Sequence, residues 1–331
     1  MRSIEPEGPQ VNAAAVPLPH IDVACGVLQR ADGRVLIAQR PPGKIAAGKW
    51  EFPGGKIEAG ESPRAALDRE LHEELGVSLQ QARPLIRFTH AYHDRIVTLH
   101  TWLVMAWAGE AHGRESQCVE WHAADAAINL DVLPTVAPIL RALLLPTDYV
   151  FTPPDADEHL IRGSLSQLPS GALLRLRLPA RSDQSYAALA GRVIADARAL
   201  GLRVTLDRGE ALARELGAAG WHQRQAELMA CAERSPRPPG WLRLVSCHDR
   251  ASLEQARMLG CDAAVLGAVH ATSTHPGATA LGWRGFATLA GNANLPVYAI
   301  GGIGPRDRDR AFAHHAQGVA GISAYWSRSE S

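Results

Sequence analysis

The stretch GGKIEAGESPRAALDRELHEELGV, running from Gly54 to Val77, places four glycines and a set of charged residues around a single helix. Ser62-Pro63 reads as the helix start, with Ser as N-cap and Pro at the first helical position, where its missing N–H is no loss. Gly76 reads as the stop. Between them Leu67, Leu71 and Leu75 form one apolar stripe, beside which Glu70, Glu73 and Glu74 stand at i, i+3 and i+4. Carboxylates this close repel one another by roughly 0.2–0.5 kcal/mol per exposed pair, and by more when partly buried, so a positive partner is expected there. Oxygen-only donors, with no Cys or His at matching spacing, favour a hard cation; Mg2+ held partly through substrate phosphates is the usual case, with Mn2+ as its substitute. The Gly54-Gly55 turn lets the backbone approach that ion, and the Gly54 carbonyl is a candidate ligand. A run of glutamates alone reads as a solvated helix face. Gly55, Glu61 and Arg69 at fixed distances from it argue otherwise. Arg69 is expected to pair with Glu61 or Glu73 and to orient the carboxylates rather than touch substrate.

The spacing is that of a known motif. From Gly55 onward it reads G-x5-E-x7-R-E-U-x-E-E-x-G-U without exception, and in this the chain resembles the Nudix hydrolases. The resemblance extends over about Ile21 to Leu145 and is strongest to the MutT type, the 8-oxo-dGTP diphosphatases. Val23 to Val27 and Val35 to Arg40 read as two apolar strands joined by the Ala31-Asp32-Gly33-Arg34 turn. Gly48-Lys49-Trp50-Glu51-Phe52-Pro53 runs into the box as the equivalent segment does in MutT-like proteins. Arg95 to Trp102 alternates as a strand, Trp107 to Glu110 ends a further one, and Glu120-Trp121 belongs to the next. The resemblance implies hydrolysis of a nucleoside triphosphate to monophosphate and pyrophosphate, with water as nucleophile. It implies Glu70 and Glu74 for metal and water activation and Glu73 and Glu115 for further metal binding. Glu61 and Arg69 complete the catalytic set. Because these carboxylates titrate as a coupled set, the base stays unassigned among them. Arg40, Phe52, Gly55, Arg95 and position 136 fall where the family meets its substrate. In MutT-like proteins an asparagine within P-x-N-x-P bonds the oxidised purine; here Leu133-Pro134-Thr135-Val136-Ala137-Pro138 puts valine there. Valine cannot make that bond, which loosens the expectation of 8-oxoguanine preference without touching the hydrolysis. Thr135 offers a hydroxyl one residue away.

At 331 residues the chain is too long for one such domain, so a second is expected: an N-terminal extension over 1–20, a Nudix α/β/α sandwich with a mixed sheet over 21–145, and another unit over 146–331. Charge balances, with 34 basic and 34 acidic residues, giving no bulk attraction to a nucleic-acid polymer or a membrane. Five cysteines without a C-x-x-C pair argue for a reducing compartment. Residues 1–20 lack an apolar leader core and no run approaches a membrane span, so a soluble cytoplasmic protein is expected. Fourteen histidines show no metal motif and read as surface or packing residues. Oligomeric state is not legible.

From Tyr149 apolar runs alternate with helical stretches. Candidate strands are Tyr149–Thr152, Ala172–Leu178, Leu202–Leu206, Gly220–His222, Leu242–Cys247, Ala263–Gly267, Leu295–Ile300 and Gly318–Ser323, with helices such as Tyr186–Leu200, Glu210–Leu216 and Ala251–Leu259 between them. Eight such strands predict a (β/α)8 barrel. Tyr149-Val150-Phe151-Thr152-Pro153, Ala218 to Gln225, Val269 to Thr274 and Val297 to Ile303 make this half similar to thiamine phosphate synthase and its relative TenI. That resemblance implies phosphate binding by Arg177, Asp207, Arg208, Gly301, Gly302, Ile322 and Ser323, with backbone N–H groups at the last two strand ends. Several of the family's positions differ: Pro179 and His275 stand where lysines are usual, Leu206 precedes Asp207-Arg208 in place of asparagine, Glu227 replaces an aspartate, and Ala268 replaces the histidine of TenI. Lost lysines remove diphosphate contacts. The expectation is therefore a degenerate phosphate-binding module for a thiamine-related phosphate. The alternatives are a bifunctional hydrolase and synthase, or a hydrolase of thiamine-related diphosphates served by the barrel.

Overall fold

Ala24 and Leu28 face one way along the first strand and Cys25 and Val27 the other, all of them buried, so this strand has a core on both sides. The computed structural model describes residues 17–272 and 279–326. In it β1 (His20–Leu28) lies inside a four-stranded mixed sheet of order β4-β1-β6-β5. β4 (Gly54–Lys56) and β5 (Ser78–Ala91) are antiparallel to their neighbours, whereas β6 (Ile96–Ala108) runs parallel to β1. A three-stranded antiparallel sheet, in the order β3-β2-β7, is made by β2 (Val35–Gln39), β3 (Trp50–Glu51) and β7 (Val119–His122). Helix α1 (Pro63–Leu75) covers one side, while α2 (Ala124–Ala127) and α3 (Val136–Leu144) cover the other. The result is the α/β/α sandwich, with its strands divided between two sheets. Two expected strands differ in detail. β1 and β2 are joined by the expected turn, yet they enter different sheets, with a Gln29–Val35 bridge between them. The segment from Ile96 to Ala108 is one long strand rather than two.

The stripe of α1 is buried as its spacing predicts: Leu67, Leu71 and Leu75 are fully enclosed. They sit directly on β1 at Gly26, where a Cβ would come within 3.0 Å of Leu67 Cδ1 and 3.2 Å of Leu71 Cδ2. Close approach of helix to sheet needs glycine there. Leu71→Ala is expected to lower unfolding stability by about 2–5 kcal/mol, read as a shifted urea midpoint with an unchanged slope.

The second half is a closed, all-parallel barrel. Its strands are β8 (Asp148–Phe151), β9 (Leu173–Leu176), β10 (Arg203–Leu206), β11 (Gly220–Gln223), β12 (Leu242–Cys247), β13 (Ala263–Gly267), β14 (Val297–Ile300) and β15 (Gly318–Gly321). The closing pair is β15 with β8. Around it lie α4 (Glu158–Ser164), α5 (Asp183–Ala199), α6 (Glu210–Glu215), α7 (Gln225–Ala230), α8 (Arg250–Met258), α9 (Gly282–Ala290), α10 (Arg308–Ala313) and the short α11 (Ser323–Trp326). Inward residues Tyr149, Leu173, Leu244, Val265 and Tyr298 fill the centre, and their chain neighbours Val150, Leu174 and Val245 pack outward under the helices. Alternation of this kind makes the barrel a packed core.

The two halves touch at the N-terminal rim of the barrel strands. Gln317, just before β15, donates to the Ala142 and Leu145 carbonyls at 2.9 and 3.1 Å, and Arg203 donates to the Leu144 carbonyl at 3.1 Å. Arg87 donates to the Gly291 carbonyl at 2.5 Å, and the Thr89 N–H to Asn294 Oδ1 at 2.8 Å. The opposite rim, where strands end, is turned away from these contacts.

Candidate active site

The glutamate helix is fixed at both ends. Ser62 Oγ accepts the Ala65 N–H at 3.2 Å, Pro63 occupies the first turn, and Gly76 closes the helix in the left-handed region at φ 72°. With the leucine stripe anchored, Glu70 and Glu74 are held against the Gly54-Gly55 strand. A Cβ on Gly55 would lie 2.3 Å from the Glu70 carboxyl carbon, so that carboxylate rests directly on the glycine backbone. Glu74 Oε2 accepts the Gly54 N–H at 3.0 Å. Arg69 donates to Glu61 at 3.0–3.1 Å, to Glu70 at 2.8 Å, to Glu73 at 3.3 Å and to the Lys56 carbonyl at 3.0 Å. One guanidinium thus organises three carboxylates, Glu61, Glu70 and Glu73, and its bond to Glu61 pulls that carboxyl below its ordinary range.

Glu74 is the most strongly perturbed carboxylate. Burial pushes it up to about 8, and the neighbouring Glu51, Glu70 and Glu115 add to this against the opposing Gly54 N–H. Glu115 comes close because its loop is tied to the end of α1: the Arg114 N–H and Gln117 Nε2 both donate to the Glu74 carbonyl, at 2.9 and 3.0 Å. Lys44 pairs with Glu115 at 2.7 Å. Glu51 was not singled out by its sequence, yet it lies in this group; burial raises its carboxyl, while Arg40 opposes that at 2.6 and 2.7 Å. Its only sequence signal is its place three residues before the glycine turn. Among the described residues no three His, Cys, Asp or Glu side chains are already gathered to hold a metal ion. The donor set nevertheless fits one: Glu70 and Glu74 flank the Gly54-Gly55 backbone and every donor is oxygen.

The residues expected to meet substrate are placed unevenly. Arg40 is committed to Glu51 and to the Ile45 carbonyl at 2.7 Å. Phe52 is 5% exposed within the core beside Val27 and Ile139, so its side chain packs instead of lining a site. Arg95 lies at the β5–β6 turn, bonded to Asp94 at 2.7 Å and stacked 5.0 Å over Tyr92, away from the carboxylates. Val136 opens α3 fully buried, and the adjoining Leu133 N–H bonds the Trp50 carbonyl at 2.9 Å. A buried valine has no contact to offer a base edge.

In the barrel, Arg175 faces Asp207 at 3.4 Å across the strand ends and lies 4.8 Å over Phe151. Beneath them Tyr149 Oη shares hydrogen bonds of 2.8 Å with Thr205 Oγ1 and His222 Nδ1, and His222 Nε2 reaches Ser246 Oγ at 2.8 Å. Arg175 and His222 were not among the expected site residues, since nothing in sequence tells inward from outward at a strand end. Arg177 is half-buried beside Thr152, whose Oγ1 accepts its N–H at 2.8 Å. Arg208 turns outward instead: it pairs with Asp183 at 2.5 Å, donates to the Leu178 and Arg181 carbonyls and lies over Tyr186. Those bonds hold the β9–α5 loop and leave the guanidinium committed to it. Gly301 and Gly302 take φ 106° and 67° beside Ala268 and His270, and Ile322-Ser323 leads into α11. His275 lies outside the described residues.

Burial holds His222 well below the usual imidazole range, helped by Arg175 and Arg177. The unfolded chain takes up a proton below about pH 6.5 that the folded chain refuses, so stability falls as pH drops through that value. Wild type should lose up to about 1.4 kcal/mol per pH unit between pH 6 and 5, and His222→Gln should flatten that slope in urea titrations.

Residues 24–142 match the family model described as NUDIX domain, and residues 149–325 match the one described as Thiamine monophosphate synthase. The CTP pyrophosphohydrolase of Escherichia coli (strain K12) is 37% identical over 124 residues, covering 38% of this chain and 91% of that protein. The 8-oxo-dGTP diphosphatase of Haemophilus influenzae is 43% identical over 109 residues, covering 32% of this chain and 80% of that protein. A solved thiamine phosphate pyrophosphorylase from Pyrococcus furiosus aligns with 58% of this chain and 91% of its own at 18% identity and a TM-score of 0.45. The chain belongs to the Nudix family through its first domain and to the thiamine monophosphate synthase family through its barrel, and it is a hydrolase acting on pyrophosphate bonds. Within the Nudix family its first domain is MutT-like, related to the 8-oxo-dGTP diphosphatases. No helix among the described residues is long and apolar enough to cross a membrane.

Proposed function

We propose that the first domain hydrolyses nucleoside triphosphates to the monophosphate and pyrophosphate, with oxidised purine triphosphates such as 8-oxo-dGTP as the leading substrate. The observation that carries this is the pairing of Glu70 and Glu74 with the Gly54-Gly55 backbone, under a guanidinium that fixes Glu61, Glu70 and Glu73. Glu70, Glu74 and the Gly54 carbonyl would hold Mg2+, with Glu73 and Glu115 at the margin of the site. When bound, the ion polarises a phosphoryl oxygen and offsets charge on the leaving pyrophosphate. Glu74 and Glu70 orient the water and accept its proton as it adds to phosphorus and the P–O–P bond breaks. Arg69 keeps Glu70 in place, the Gly54 N–H holds Glu74, and Arg40 holds Glu51.

A second substrate reading rests on Val136. Its side chain lies in the core, leaving the base edge without the family's amide, and the relative from Escherichia coli carries the name CTP pyrophosphohydrolase. The kcat/KM ratio of 8-oxo-dGTP to CTP, measured on the full chain, decides between them. A ratio above about 100 supports the purine reading, since a site bonding a base edge rejects analogues by that much or more. A ratio below one replaces it with the pyrimidine reading.

For the barrel we propose a degenerate site that keeps a place for phosphate at Arg177, Asp207, Gly301-Gly302 and Ile322-Ser323, without synthase turnover. Pro179, at a position where the family carries lysine, supports this. Thiamine phosphate formed from the two phosphorylated precursors by the full chain would contradict it.

A further inference from the structure

Between the two domains lies a cleft of about 590 Å3, within the size range of small-molecule sites, which favour such junctions. One wall is β5 and β6 of the Nudix domain, closed at one end by Pro63 at the start of α1; the other is α10 of the barrel. Arg83, Arg87, His100 and His315 line it, against Asp309 as the one carboxylate in the lining. Arg83 is half-buried, gives one hydrogen bond to the Pro84 carbonyl at 3.1 Å, and lies 4.1 Å over the Phe312 ring; among the described residues it has no salt bridge. Burial and the nearby Arg308 press its guanidinium down to about 10, so it stays charged at neutral pH. Arg308 is itself neutralised by Asp148 at 2.8 and 2.9 Å, and His100 Nε2 lies 2.8 Å from Asp22 Oδ1. Arg87 has only the Gly291 carbonyl. Apart from Gln81 and Thr101 the rest of the lining is apolar, with Ile86, Trp102 and Phe312 in it, and Trp102 also carries the Arg64 guanidinium 5.6 Å above its ring.

Two guanidiniums that make no salt bridge among the described residues, in a lining with apolar and aromatic walls and a single carboxylate at Asp309, suit a ligand with one anionic end and a flat or greasy body. We propose that this cleft binds a phosphate monoester of an aromatic heterocycle, its phosphate on Arg83 and Arg87 and its ring along the Trp102 and Phe312 walls, and that this ligand regulates the hydrolase. Regulation follows from position, because the cleft touches the first turn of the helix that carries Glu70 and Glu74. A ligand bridging β5 to α10 braces that helix start against the barrel. The chemistry has two sources in this protein: a nucleoside monophosphate, as the hydrolase would release, and a thiamine-type phosphate, as the barrel's family would handle. The inference stands on the domain junction and does not depend on which triphosphate the Nudix site prefers.

Isothermal titration of the full chain without divalent metal, using dGMP, thiamine monophosphate and inorganic phosphate in separate runs, tests it. Arg83→Gln removes the cation, and Ala313→Phe fills the slot without changing charge. At least one organic phosphate should bind, at least tenfold tighter than inorganic phosphate, and both variants should weaken it at least tenfold. Hydrolase kcat without added ligand should stay within twofold of wild type in both, and the bound phosphate should change wild-type kcat but not that of either variant, whereas product competition at the Nudix site would raise KM equally in all three. Whichever organic phosphate binds identifies the source. Binding that is absent for both, or equal in wild type and the two variants, overturns the proposal, the latter because it places the ligand in the Nudix or barrel site.

Discussion

Glu74→Gln is expected to lower kcat by about 1,000-fold while leaving the fold intact, a loss within the usual range for a removed general base or metal carboxylate. Glutamine keeps the shape of the side chain and can still accept the Gly54 N–H from its amide oxygen, so the loss isolates charge. The same substitution should have the opposite effect on stability in metal-free protein. The Glu74 carboxyl is pushed up to about 8 in the fold by burial and by its acidic neighbours, against about 4.5 in the unfolded chain. Between those values the folded state holds a proton that the unfolded state has released, so wild-type stability falls as pH rises through that window. Metal-free Glu74→Gln should therefore melt a few degrees above wild type at pH 8.5 and close to it at pH 4.5. Calorimetry in EDTA reads this, and equal melting temperatures at pH 8.5 would show that Glu74 is not under charge strain.

Gly55→Ala is the second large effect. The added methyl would lie 2.3–2.4 Å from all three atoms of the Glu70 carboxyl group. Because the obstacle is the end of a flexible side chain, Glu70 swings away and the domain folds around the change. Displacing a catalytic group by about 1 Å costs about 100-fold in rate, so kcat should fall by that order with melting nearly unchanged. Activity within threefold of wild type would mean that Glu70 does not need its place on the glycine backbone.

Local chemistry carried most of what was legible in the sequence. Ser62, Pro63 and Gly76 set the ends of α1 by contacts within a few residues, and the leucine stripe set its buried face, so spacing alone predicted both. The barrel strands were equally readable, since each is a short apolar run between helical segments. β5 was not read at all. Its segment Gln80 to Pro84 is polar, carries a proline and breaks register with β6 between Leu79 and Ile86, so period-two alternation is lost. Contacts between distant residues were the other blind spot. Arg40 pairs with Glu51 across two strands, Phe52 turns into the core one residue later, and Arg208 is spent on three loop carbonyls. A motif gives the identity of such residues but not the direction in which the folded backbone aims them. The domain junction, built from Arg83, Arg87 and Phe312, belongs to neither family motif and appears only once both halves are folded.

The proposed reaction is cleavage of a nucleoside triphosphate between its α- and β-phosphates by the carboxylates of α1. Its most direct test is chromatographic product analysis of 8-oxo-dGTP, dGTP and CTP after incubation with Mg2+ and the full chain, beside Glu70→Gln. Monophosphate and pyrophosphate should appear in equal amounts from at least one of the three, with Glu70→Gln slower by at least 100-fold. Release of inorganic phosphate with a nucleoside diphosphate, or a Glu70→Gln rate equal to wild type, would contradict it.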